Sequence, residues 1–136
     1  MYTSVHTSAA VPIMLIFPNW VGVVLCVASH YALDTFAEAD TYTDIQHTVM
    51  IDFVVLSGSV CIVALNHPNA WWFALGIFGA NFPDIFDKIR DKVFKLPQIL
   101  ACHQDYWPRY WTPTPQQTLQ VNIISFLTAI ALMSLF

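Results

Sequence analysis

Inside WVGVVLCVASHYALDTF, an otherwise apolar stretch, His30 and Asp34 stand four positions apart. On a helix that spacing stacks an imidazole and a carboxylate on one face, one turn apart. Such a pair can end a helix in water, or it can supply the first two ligands of a metal site. Further residues able to do the same chemistry are His6 near the start, Asp52, the pair Asp84 and Asp87 in NFPDIFDK, and His103. Imidazole nitrogens and carboxylate oxygens suit Zn, Fe or Mn. Their number leaves room for two divalent ions about 3.5 to 4 Å apart. A bound ion of this kind lowers the pKa of a water and polarises a phosphoryl or acyl oxygen, which is hydrolytic chemistry. The expected metal ligands are His6, His30, Asp34, Asp84 and His103. Asp52 and Asp87 are the expected catalytic acids, holding a ligating histidine or acting as general base.

Each residue also has an ordinary reading. Asp84 and Asp87 can be solvated at a helix end, and His103 can be a plain loop histidine. His67, in the short loop NHPN, reads as structural. No GxSxG pattern or Ser-His-Asp arrangement competes with a metal, and Cys102 next to His103 is only a weak nucleophile signal. Cys26, Cys61 and Cys102 are scattered with no CxxC spacing, as expected of unpaired thiols.

The elements that must position these residues follow from composition. Hydrophobic residues make up 57% of the 136 and charged residues 10%, against about 25% charged in soluble domains. The expectation is an all-α integral membrane protein in one domain over 1–136. Only five Lys and Arg are present, too few for a nucleic-acid partner. A spanning helix needs about 20 mainly apolar residues. Segments at about 45–65, 70–86 and 115–135 approach this and are expected as three membrane helices. The last opens on TPTPQQ, where Thr114 is a natural N-cap and Gln117 falls at the reciprocal capping-box position.

The first 36 residues can be one long helix from about 9 to 36, or a hairpin with arms at about 4–17 and 20–37. Pro18-Asn19 favours the hairpin, because a proline inside a helix costs about 3 kcal/mol. His6 and His30 lie 12 residues either side of Pro18. At about 1.5 Å per residue both then sit about 18 Å from the turn, at one depth. The first arm is too short to span and needs protein on most sides. IFDKIRDKVFKL alternates apolar and charged residues at helical spacing, so an interfacial amphipathic helix is expected at about 87–96, ended by Pro97.

All five basic residues (Lys88, Arg90, Lys92, Lys95, Arg109) fall in the connection after the 70–86 segment. By the positive-inside rule that connection is cytoplasmic, and the protein is a multi-pass protein of the inner (cytoplasmic) membrane. His30, Asp34, Asp84, Asp87 and His103 then gather on the cytoplasmic side, with Asp52 one and a half to two turns inside its helix. A carboxylate at such a depth costs about 2.5 to 3.5 kcal/mol and needs a partner.

The order of motifs resembles the membrane-bound metal-dependent hydrolases, small inner-membrane proteins that include a LexA-binding group. VHTSAA, SHYALD, Asp52, GIFGANFPDIFDK and the later His103 carry the resemblance, over about residues 4–105. It implies metal-site roles for His6, His30, Asp34 and Asp84, and for Asp87 and His103. Where family members often have proline and histidine after the first aspartate, this chain has Phe36-Ala37-Glu38. The expected function is metal-dependent hydrolysis at the cytoplasmic interface of the lipid bilayer, on a lipid-like or phosphoester substrate. The alternative is a non-catalytic small subunit or stabiliser that packs against partner membrane proteins, its acids and histidines forming a polar cluster or a vestigial site.

Overall fold

The computed structural model describes residues 3–36, 58–97, 99–100, 110–111 and 114–135. Five helices are seen among them: α1 Thr3–Ile16, α2 Trp20–Phe36, α3 Gly58–Leu65, α4 Ala70–Lys92 and α5 Pro115–Leu135. The chain turns between α1 and α2 at Phe17-Pro18-Asn19, and does not run on as one long helix. Asn19 starts α2: its Oδ1 accepts the Val21 N–H at 2.8 Å and the Gly22 N–H at 3.4 Å, satisfying orphan donors of the first turn. Pro12 lies inside α1 without ending it. The α1 helix packs against all four other helices, so tertiary contact holds it through a residue that would break an isolated helix.

Close backbone approach sets how α1, α2 and α4 meet. A Cβ on Gly76 of α4 would collide with the Met14 side chain and reach within 3.3 Å of Cys26 Sγ. A Cβ on Gly22 would strike the Phe17 carbonyl oxygen across the turn. The core formed around these contacts holds Ala10, Val11, Met14, Cys26, Phe73 and Ala80, and continues through Val60, Ala64, Ala129 and Met133 to α3 and α5. Many other large apolar side chains lie outside it, among them Trp20, Val24, Trp71, Ile124 and Leu127, all more than half exposed.

Two expectations are corrected. The expected integral membrane architecture fails because no helix among the described residues is long and apolar enough to cross a membrane. The described spans of α1, α2 and α3 hold 14, 17 and 8 residues, fewer than a spanning helix needs. The 23-residue α4 carries Asp84, Asp87, Lys88, Arg90, Asp91 and Lys92 in its last nine positions. The α5 helix has 21 residues but spends its first eight on PQQTLQVN. The transmembrane helices, the multi-pass inner-membrane location and the cytoplasmic orientation read from the basic residues go with it. The second correction is the separate interfacial helix at 87–96. The α4 helix instead runs unbroken through Pro83 to Lys92, and its end is made by Lys95 at a positive φ of 55° and by the Leu96 N–H returning to the Arg90 carbonyl at 3.0 Å. Of the expected 45–65 helix, Gly58–Leu65 is described and the rest, with Asp52, lies outside the described residues.

Candidate metal centre

His6 stands in the first turns of α1, His30 and Asp34 in the last turns of α2, and Asp84 two-thirds along α4. The turn at Pro18 returns α2 alongside α1, and the two imidazoles stack with ring centroids 4.1 Å apart and planes 23° apart. Both histidines are fully buried and Asp34 is 1% exposed. Asp34 bridges the pair: its Oδ1 lies 3.3 Å from His6 Nε2 and its Oδ2 lies 3.0 Å from His30 Nε2. Asp84 closes the group from α4, with Oδ2 4.0 Å from His6 Nε2 and Oδ1 3.9 Å from His30 Nε2. The Asp84 side chain is 17% exposed and forms the open edge of the group.

His6, His30 and Asp84 could hold a metal ion, their ligand atoms all falling within 4.8 Å of one another. An ion about 2.1 Å from each of four tetrahedral ligands sets them roughly 3.4 Å apart. The Asp34 contacts already match that figure, and Asp84 has about half an ångström to close. The donor chemistry fits as well. His30 Nδ1 lies 2.8 Å from the Ala80 carbonyl, which can only accept, so Nδ1 carries the proton. In the neutral ring the Nε2 lone pair then points at carboxylate oxygens. Two acceptors at 3.0 Å repel unless a cation, a proton or a metal ion, lies between them. An Nδ1–H held by a backbone carbonyl is also the usual outer support of a metal-bound histidine. His6 differs, since its Nδ1 has no hydrogen-bond partner among the described residues although the ring is fully buried.

Electrostatics sort the protonation states. Burial lowers the His6 pKa, the neighbouring His30 pushes the same way, and the contact with Asp34 offsets part of the shift. Burial would raise the Asp34 carboxyl, but the two imidazoles outweigh it and hold the group below the usual carboxylate range. The arrangement therefore favours a neutral His6 and an ionised Asp34, the forms that bind a metal. Burial also pushes the Cys26 thiol up to about 12, so it is an inert core residue.

Asp87, expected as a catalytic acid, is fully buried and turned to another task. Its Oδ2 accepts the Leu100 N–H at 3.1 Å and its Oδ1 the Ile99 N–H at 3.4 Å, tying the chain after α4 back onto the helix. It is not among the grouped ligands. His103 and Asp52 lie outside the described residues. His67 accepts the Asn69 N–H on Nδ1 at 3.1 Å and packs on Phe73, an ordinary role at the start of α4. Sequence reading missed Ala80, whose backbone alone contributes. It also missed Thr7 and Asn81, which bond across α1 and α4 beside the group; an asparagine inside the apolar run GIFGANFPD was the available signal. Comparison with family models, curated proteins and solved structures finds no match for this chain.

Proposed function

We propose that the protein is a metal-dependent hydrolase. His6, His30 and Asp84 hold a divalent ion, Zn, Fe or Mn, with Asp34 buried behind them. One observation carries this reading: two stacked, buried imidazoles present Nε2 to the same two carboxylates, so that His6, His30 and Asp84 bring ligand atoms within 4.8 Å of one another. When bound, the ion supplies Lewis acidity and a water of lowered pKa. Asp34, ionised and facing both Nε2 atoms, would add the buried negative charge that draws a cation into the group. Asp84, at the exposed edge, meets solvent and substrate and can take a proton there. The described ligands make a site for one ion. A phosphoester or acyl ester is the substrate class that suits an oxygen-polarising ion.

The burial of His6, His30 and Asp34 favours a second reading, a non-catalytic subunit in which the same cluster braces the bundle. Metal analysis of the purified protein separates them when paired with turnover of a simple phosphomonoester and a simple acyl ester. Near-stoichiometric metal, lost in His30→Ala and Asp84→Ala together with turnover, supports the hydrolase. Metal without turnover leaves a structural site. Absence of metal after incubation with Zn, Fe or Mn, with both variants as stable as the parent, sinks the metal reading itself.

A further inference from the structure

The ligands of the candidate centre come from three helices, so the centre exists only if those helices keep their register. The α2 ligands are tied to α4 by the His30 to Ala80 bond. A second tie joins α1 to α4. Asn81 Nδ2 donates to Thr7 Oγ1 at 3.0 Å and to the Ile77 carbonyl one turn back at 2.8 Å. The two amide hydrogens serve both bonds at once, and the bond within α4 fixes the rotamer that reaches α1. Thr7 is 1% exposed and Asn81 is 5% exposed, so the bond between them does not compete with solvent. Thr7 follows His6 directly, and Asn81 precedes Asp84 by three residues, less than one helical turn. A slip of α1 along α4 would break this bond and draw the His6 ring from the two carboxylates together.

We propose that Asn81 is a positioning residue of the centre, setting the register of α1 on α4 through Thr7 and so holding the His6 imidazole against Asp34 and Asp84. Packing of Met14 against Gly76 fixes the far part of the α1–α4 contact. Beside His6 the α1 side chains are small, and there the buried hydrogen bond between Thr7 and Asn81 selects the register. The proposal rests on the metal reading for its main measurement.

The test uses zinc titration of the full chain, with thermal melting of the metal-free protein beside it, in Asn81→Leu, Thr7→Val, Thr7→Ser and the double variant Thr7→Val/Asn81→Leu. Each of the two apolar single variants should weaken zinc binding about 10- to 100-fold, the range for outer-shell partners. The double variant should be no weaker than either single, since one bond is lost in all three. Thr7→Ser keeps the hydroxyl and should bind as the parent does. Replacing both partners leaves no stranded polar group, so the double variant should melt near the parent temperature while its affinity stays low. A merely structural role predicts the opposite coupling, with affinity returning as stability returns, and that result overturns the proposal. Parental affinity in both apolar singles overturns it too. Should the parent bind none of Zn, Fe and Mn, the metal reading fails. The register claim is then decided by the imidazole ¹⁵N shifts of His6 in the metal-free protein. Shifts that move in Asn81→Leu and hold in Thr7→Ser uphold it, and shifts that stay at the parent values in Asn81→Leu overturn it.

Discussion

At His30 one hydrogen bond decides what the ring can do. The Ala80 carbonyl fixes the proton on Nδ1 and leaves Nε2 to face the carboxylates. Nitrogen NMR of the metal-free protein should show Nδ1 protonated at this position. His6 governs the pH response. Its pKa is lowered from 6.5 by burial, so between the folded value and 6.5 the unfolded chain binds more protons than the folded one. Stability must therefore rise with pH across that window and fall as pH is lowered through it. Urea denaturation of the metal-free protein should give a lower midpoint at pH 5.5 than at pH 7.5, and His6→Gln should shrink the difference. Asp34 contributes in a separate range. Its depressed carboxyl adds stability above the usual value of about 3.9, lost only as pH falls through its folded value. The pairing of His30 with Asp34 was legible in the sequence because a four-residue spacing on one helix is local information, whereas the helix that carries Asp84 runs on past its expected end to Lys92. The part played by the Ala80 carbonyl was not legible, because a backbone acceptor has no sequence signature.

Among the elements, the turns and close approaches set the frame that carries these residues. A side chain at Gly22 meets a backbone carbonyl, which cannot move aside, whereas one at Gly76 meets the flexible Met14 side chain. Gly22→Ala should therefore destabilise more than Gly76→Ala, the latter costing about 1 to 3 kcal/mol as ordinary overpacking; paired denaturation curves check the order. At the start of α5 the reciprocal capping box is formed, with the Gln117 N–H donating to Thr114 Oγ1 at 3.3 Å and the Thr114 N–H to Gln117 Oε1 at 2.9 Å. Thr114→Ala should cost about 1 kcal/mol, visible as a lowered denaturation midpoint with unchanged slope. That cap was readable from TPTPQQ because capping depends on four neighbouring residues. The length of α4 was not readable, since its last turns are held by Asp87 gripping Ile99 and Leu100 from the returning chain.

For the whole molecule, an ion held by His6, His30 and Asp84 clasps α1, α2 and α4, residues up to 78 positions apart in the chain. Binding to the folded state alone then stabilises by mass action, about 2.7 kcal/mol at a free zinc concentration 100 times the Kd. For a chain of this size that is a rise of roughly 10 °C in Tm, reversed by a chelator and absent in His30→Ala; calorimetry with and without zinc measures it. By itself the sequence determined the helical content, the turn at Pro18-Asn19, the α5 cap and the residue types of the site, because periodicity, proline and capping act over a few residues. Only the tertiary structure decided which apolar residues are covered, and that in this 57% hydrophobic chain no helix among the described residues is long and apolar enough to cross a membrane. It also decided which of the scattered acids meet the two histidines, sending Asp84 to them and Asp87 to the chain after α4. Those outcomes depend on how helices stack and where a backbone carbonyl lies, and neither is set by spacing along the chain.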